Sequence, residues 1–579
     1  MSASTDLKHG ETAHAVETSR DSVLQDGGLE FTLEYAQNGS KPSYQEATGA
    51  PVETDSPLGY NVGWLTTVFL NLGQMIGTGV FSTPGTIFDE VGSVGLALLF
   101  WALGAVIAAA ALATYLELAS YFPNRSGAEV VFLEQAYPRP RYLLPMAFAV
   151  QSVILSFSSS NAIVLSEYLF KTGGREPTAW QEKGVAVAGM TLIIIMVISN
   201  TRFSMWVSNT IGVLKIITLT FIAITGLVVL GGNTSVADPK ANFRNAFEGT
   251  TNSGYGITNA IVKVNFAYFG YQNAFNVVNE VKNPVKTLKK TAPASLLVVA
   301  ILYMFCNIAY FAAVPKEEIK ASGQLAASLF FKAVFGSSSS SKALNFLIAL
   351  SAFGNITSVV IGSSRVIREC GRQGVLPFPR FWASTRPFGT PLGPYLLKWG
   401  VTVLMILAPP AGDAFNFIVD LQSYPSAVFN FLTTFGLFII RRHRARLGLS
   451  RPEFHAWNVA LVFTLAVNVY LLAMPWYPPA TGATGGDVSF WYATYCVTGL
   501  GILAVCGIYY WVWIFVLPHF GKYQIRQEVV LLDEGDGANT HRLVKVPNAD
   551  VASWDATHDA RGNSLAVTEP VAHEKWSDA

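Results

Sequence analysis

Apolar and polar positions along the chain fall into long blocks. Between about residue 59 and residue 519, apolar runs of about 20 residues recur, each long enough to carry a helix across a bilayer core. About twelve such runs are present, centred near Leu72, Ala105, Leu155, Ile193, Ile217, Phe266, Leu302, Ala352, Leu404, Phe431, Phe463 and Leu503. The blocks predict an all-α polytopic membrane protein with a transmembrane domain over residues 59–519. The flanks differ. Residues 1–58 are rich in Ser, Thr, Glu and Gly without periodicity, so a disordered N-terminal tail is expected there. Residues 520–579 are polar again and form a C-terminal tail.

Two blocks carry residues that an uninterrupted membrane helix avoids. The stretch QMIGTGVFSTPG, from Gln74 to Gly85, sets Gly77, Gly79 and Pro84 in the first span. The stretch KVNFAYFGYQNAFN, from Lys263 to Asn276, sets Gly270 among polar and aromatic residues in the sixth. A helix unwound in hydrocarbon frees backbone N–H and C=O groups, which are costly unless protein, water or ligand satisfies them. One glycine is explained by close helix packing. Two interruptions separated by five spans cross the membrane in opposite directions, and such a pair points to a transporter site. Gly77 and Gly79 let a ligand reach the backbone. The half-helix after them offers free N–H groups and a positive dipole end, suited to a carboxylate, and Thr78 adds a hydroxyl. Carbonyls near Phe266, Ala267 and Phe269 suit an ammonium. One site would then read both ends of an α-amino acid.

Composition narrows the alternatives. The chain has 579 residues, 51% hydrophobic and 13% charged, with a mean hydropathy of +0.37. A net charge of +1 gives no reason to expect a nucleic-acid partner. Cys306, Cys370, Cys496 and Cys506 have no metal-binding spacing, and neither a metal, a cofactor nor a disulfide framework is expected. No signal peptide is evident, and no nucleophile or metal-hydrolase motif suggests an enzyme. Arg and Lys concentrate in one set of loops, including Arg125, Arg139, Arg141, Lys282, Arg368, Arg372 and Arg441. Under the positive-inside rule both termini are then cytosolic.

Single polar residues inside the spans add detail. Lys215 lies mid-segment in GVLKIITLTFIAITG, where a charge is expensive unless paired, hydrated or snorkelling to an interface. Projected toward the first interruption, its ammonium would bond the freed carbonyls. Glu280 is a candidate to pair with Arg365 or Arg368 as a gate, an ordinary surface ion pair being the alternative. Asn355 in AFGNITS and Asn161 in SFSSSNA either line a pocket or join helices.

These motifs together carry a resemblance. IGTGVFSTP is similar to the first-helix motif of the amino acid–polyamine–organocation superfamily, and FAYFGYQNAFNVVNEVKNP to its sixth helix. SSRVIRECGRQGVLP resembles the cytoplasmic end of its eighth helix, and RSGAEVVFLEQAYPRP the segment after its second. The likeness covers roughly residues 58–520 and is greatest to the L-type amino acid transporter branch, where the chain resembles fungal high-affinity methionine permeases.

The resemblance implies a LeuT-type fold of ten core helices in a five-plus-five inverted repeat, with helices 1 and 6 broken and two helices added. It implies that Gly77, Thr78 and Gly79 hold a substrate carboxylate, and that Phe266, Ala267 and Tyr268 hold the amine, with Phe266 as lid. Lys215 would stand where sodium-driven relatives of the fold hold an ion. Phe269 replaces a glycine of the pattern and Tyr271 a tryptophan, which would narrow the side-chain pocket and suit methionine. The loop KTGGREPTAWQEK lacks the cysteine by which animal members bond a heavy subunit, so no such subunit is expected.

The function expected is a plasma-membrane permease that imports neutral L-amino acids, methionine first, by alternating access, proton-coupled and sodium-independent. The alternatives are an amino acid-binding nutrient receptor with little transport and a polyamine or organic-cation carrier. The latter would want acidic pocket residues, and only Asp420 lies in a suitable span. Lys8, Lys41, Lys522, Lys545 and Lys575 are candidate ubiquitin acceptors for endocytic adaptors at the tails.

Overall fold

Each expected apolar run is helical in the computed structural model. It describes residues 23–565 apart from 233, 235, 324, 337–338, 409–413, 481, 485 and 533–538. Among the described residues, 9 helices are long and apolar enough to cross a membrane. The two interrupted spans and the shorter helix Leu392–Leu407 bring the set to the expected twelve. The ends carry the expected signals. Thr178 and Gln181 form a capping box before Ala179–Ser199. The Asn200 side chain accepts the Phe203 N–H at 2.9 Å to start Thr201–Leu230. Pro284 opens Pro284–Ala313, where a missing N–H costs nothing.

Spans 1–5 and 6–10 are the two inverted repeats, and spans 11 and 12 lie outside them. The first span packs on the fifth, seventh and eighth, and the sixth on the second and tenth. The broken helices therefore sit in the middle of the bundle. The eleventh span, Asn458–Ala473, lies against the second and tenth, and the twelfth, Thr494–Trp511, against the third and tenth. A further interruption was not anticipated. The third span divides into Leu143–Ile154 and Ser159–Gly173, separated by the start of the hydroxyl run Ser156–Ser160. Serine side chains compete for backbone groups and loosen a helix where they cluster.

The N-terminal segment departs from expectation. Residues 1–22 lie outside the described residues, but residues 23–58 are not a structureless tail. Val23–Asp26, Leu29–Glu34 and Ser43–Glu46 form an antiparallel sheet, with Phe31 opposite Glu46. The C-terminal segment also folds, as the hairpin Tyr523–Leu531 with Asn539–Pro547. Both segments dock on one face of the bundle. Gln527 Nε2 donates to the Thr48 carbonyl at 3.2 Å and Asn539 Nδ2 to the Val52 carbonyl at 3.2 Å.

The cause is charge demand from the helices. Arg368 and Arg372, at the end of Ser339–Arg372, are buried and need acceptors. Glu53, only 2% exposed, supplies them at 2.8 Å and 3.3 Å, and Asn279 Nδ2 adds a third bond at 3.3 Å. Read alone, the segment has too few apolar residues to order itself. It borrows its partners from the bundle.

Replacing Glu53 by Ala leaves two buried guanidinium groups short of a carboxylate. A loss of about 3 kcal/mol is expected. Thermal unfolding of the detergent-solubilised protein checks it, and an unchanged melting curve would refute this account of the docked segment.

Candidate functional site

The first span stops at Met75 and resumes at Gly79, continuing through Pro84–Val91. Ile76 leaves helical geometry at φ −77° and ψ 73°. The backbone N–H groups of Thr78, Gly79 and Val80 make no hydrogen bond among the described residues. The freed carbonyls on the other side of the break are each met. Lys215 Nζ donates to the Gly73 oxygen at 2.8 Å and to the Ile76 oxygen at 2.5 Å. Tyr303 donates to the Met75 oxygen at 2.5 Å, and Asn355 Nδ2 to the Gln74 oxygen at 2.5 Å. The Ser351 hydroxyl lies 3.4 Å from the Ile76 and Gly77 oxygens. Lys215 is 2% exposed and has no acidic partner among the described residues. Its charge rests on carbonyl dipoles at the negative end of a half-helix.

The sixth span breaks in a matching way. Gly254–Tyr268 ends at an extended Phe269 (φ −64°, ψ 135°), Gly270 takes φ 123°, and the chain turns again as Asn273–Glu280. That value of φ is open to glycine and costly for other residues. Side chains tie the two breaks together. Asn71 Oδ1 accepts the Ala274 N–H at 2.7 Å, and Asn273 Nδ2 donates to the Leu70 and Ser358 oxygens at 3.0 and 3.1 Å. The Tyr303 hydroxyl, bonded to Met75, also lies 3.2 Å from the Ala267 oxygen. A Cβ on Gly79 would stand 2.7 Å from the Ala267 Cα, so the two unwound backbones touch. A Cβ on Gly77 would meet Asn355 Nδ2 at 2.4 Å.

A cavity of about 260 Å³ opens beside these breaks. Gly77, Thr78, Gly79, Phe266, Phe269 and Asn355 line it, together with Asn161, Gln422 and Lys398. The Thr78 hydroxyl donates to Asn161 Oδ1 at 3.0 Å. Val366 and Ile367, near the end of the eighth span, continue the wall toward the terminus-bearing face. The other direction is shut. Phe266 meets Phe415 edge-on with ring centroids 6.1 Å apart. Beyond them buried Lys263 contacts Asp420 and Asp487, each at 2.8 Å. Burial by itself would raise the Asp487 carboxyl; Lys263 outweighs it and holds the group below the ordinary aspartate range. Asn259 Nδ2 donates to Glu90 Oε1 at 2.7 Å, joining the outer half of the first span to this layer.

Two expected binding residues are not on the cavity wall. Ala267 lies beneath Gly79 with its carbonyl at Tyr303, and the Tyr268 ring packs against Trp101 and Tyr303 at 6.1 and 5.1 Å. Glu280 and Arg365 do pair, at 2.8 Å and fully buried, with Arg365 Nη1 also donating to the Tyr395 hydroxyl at 2.9 Å. Arg368 goes to Glu53 instead. Sequence reasoning missed Tyr303, Asn71, Lys263, Asp487 and Lys398. Lys263 and Lys398 carry the signal that singled out Lys215, a lysine inside an apolar run.

A cavity shut toward one face, between two helices broken in opposed repeats, is the architecture of a secondary transporter. Sequence comparison narrows the class. Residues 62–503 match the profile of the family described as amino acid permease. The high-affinity methionine permease of Saccharomyces cerevisiae is 37% identical over 502 residues, 86% of each chain. The low-affinity methionine permease of the same yeast is 29% identical over 85% of this chain and 90% of its own. The mouse b(0,+)-type amino acid transporter 1 is 28% identical over 72% of this chain and 82% of its own. The chain belongs to the amino acid permease family: it is a multi-pass membrane transporter of amino acids and not an enzyme.

Gly79→Val drives a side chain into the Ala267 backbone. Amino acid binding should fall by about a hundredfold or more while the protein stays monodisperse; unchanged affinity in a binding titration would exclude a backbone site. Lys215→Ala strips the donors from the Gly73 and Ile76 carbonyls. Uptake should drop to about 1% of the parent with insertion preserved, and normal uptake kinetics would remove Lys215 from the mechanism.

Proposed function

We propose that the protein imports neutral L-amino acids across the plasma membrane by alternating access, with methionine the first substrate to test and both termini in the cytosol. The observation that carries this reading is the set of N–H groups at Thr78, Gly79 and Val80 with no partner among the described residues, Thr78 and Gly79 lining a cavity beside the second break. Those donors and the half-helix dipole would take the substrate carboxylate, the Thr78 hydroxyl turning from Asn161 Oδ1 to add a donor of its own. The ammonium would be held by carbonyls of the sixth-span break at Phe266 and Phe269, the residues of that break that line the cavity. The side chain would extend past Phe266, acting as lid, toward Phe269, Asn355 and the rest of the wall.

Phe269 narrows this end of the cavity and favours a slim, flexible side chain. The names of the two yeast relatives support methionine in particular. Lys215 already places a cation at the carbonyls of the first break, which argues against sodium coupling; the proton is the coupling ion we propose in its place. In this conformation the Lys263, Asp420 and Asp487 layer acts as the closed outer gate. Glu280 with Arg365 is then the inner gate, to be rearranged with the half-helices it joins. All four cysteines are buried, which supports a permease working without a disulfide-linked heavy subunit. Lys41, Lys522 and Lys545 are exposed and are the described tail lysines proposed to accept ubiquitin; Lys8 and Lys575 lie outside the described residues.

Reconstituted protein should show saturable methionine uptake without sodium, stimulated by an inward acid gradient. Methionine binding without flux would identify a receptor. The absence of both binding and uptake in folded protein would refute the proposal.

A further inference from the structure

Three lysines are buried within the spans: Lys215 at 2% exposure, Lys263 at 0% and Lys398 at 2%. The first is met by carbonyls and the second by two carboxylates. Lys398, in Leu392–Leu407, makes no ion pair or hydrogen bond among the described residues, and it lines the cavity. It is also tied closely to the carboxylate end of the site. Thr402, one turn further along the same helix, accepts the Ser158 N–H at 3.1 Å. Ser158 begins the helix that carries Asn161, which accepts the Thr78 hydroxyl at 3.0 Å. This short chain links the helix of Lys398 to the helix that meets Thr78. The other charged residue on the cavity wall, Glu129, accepts from the Tyr115 hydroxyl and forms no ion pair with Lys398.

We propose that Lys398 sets the charge selectivity of the cavity: its unpaired ammonium rejects amino acids with cationic side chains and admits neutral ones. The inference rests on the neutral amino acid reading and names the residue that enforces it. A buried charge without a partner is tolerated in a membrane protein where it faces a watered cavity or a ligand. Substrate entering that cavity meets a like charge or a neutral chain, and only the former is penalised. Two unit charges about 10 Å apart at an effective dielectric of about 20 repel enough to weaken binding about fifteenfold, and more on closer approach.

Norleucine and ornithine provide the test, because their side chains have equal length and differ in charge. In competition with labelled methionine, norleucine should act on the wild type at a concentration at least about tenfold lower than ornithine. In Lys398→Met that gap should close to within about threefold, and in Lys398→Arg it should persist. Equal competition in the wild type, or an undiminished gap in Lys398→Met, overturns the proposal. If Lys398→Met fails to insert, Lys398→Gln takes its place in the same comparison, and an undiminished gap there overturns the proposal. If methionine is not taken up at all, the substrate reading fails separately. The melting temperatures of wild type with each competitor then judge Lys398, and equal stabilisation by ornithine and norleucine counts against it.

Discussion

Backbone groups released inside hydrocarbon have to find partners, and this constraint organises the protein. Two helices come apart at the centre of the bundle, each exposing N–H groups on one side of the break and carbonyls on the other. The protein satisfies the carbonyls of the first break with donors from spans 5, 7 and 8: Lys215, Tyr303, Ser351 and Asn355. It leaves the N–H groups of Thr78, Gly79 and Val80 without a partner among the described residues. The asymmetry matters. A site in which both sets were satisfied would be only a kinked scaffold; donors left over beside a cavity leave room for an acceptor.

The donors to the carbonyls also explain why the breaks stay together. Tyr303 lies within hydrogen-bonding reach of Met75 and Ala267, and Asn71 and Asn273 reach across between the first and sixth spans. The two half-helices are thereby coupled, and Gly79 against Ala267 leaves no slack between their backbones. A movement of one half carries the other. The charged layers lie at the outer ends of these coupled pieces: Glu90 and Lys263 on one side of the cavity, Glu280 on the other.

Much of this was legible in the sequence, for reasons that differ by element. Apolar runs set the spans because the bilayer enforces length, and a glycine at membrane depth stands out against them. Lys215 was readable because a lone charge in hydrocarbon demands an explanation. Tyr303 was not, because a tyrosine in LLVVAILYMFC is as consistent with packing as with a hydroxyl bond between two breaks. Tyr268 and Ala267 belong to the right motif, but a motif fixes backbone position and not the direction of each side chain. The ordered stretch of residues 23–58 was hidden for another reason. Its order comes from Arg368 and Arg372, more than three hundred residues away, and composition of the segment carries no trace of them.

The three buried lysines condense the physics of the site. Each places a positive charge where water is scarce, and each is answered differently. Lys215 is held by peptide dipoles, which cannot dissociate or titrate away, so its partner persists as long as the break does. Lys263 is held by carboxylates from the tenth span and from the loop before the twelfth, so its satisfaction depends on those elements staying in place. Breaking that contact strands a charge on each side and costs several kcal/mol unless water enters, which ties opening of that face to hydration of the cavity. Lys398 is answered by neither among the described residues. One chemistry thus serves as strut, latch and filter, and the distinction lies entirely in whether the counter-charge is fixed, mobile or absent.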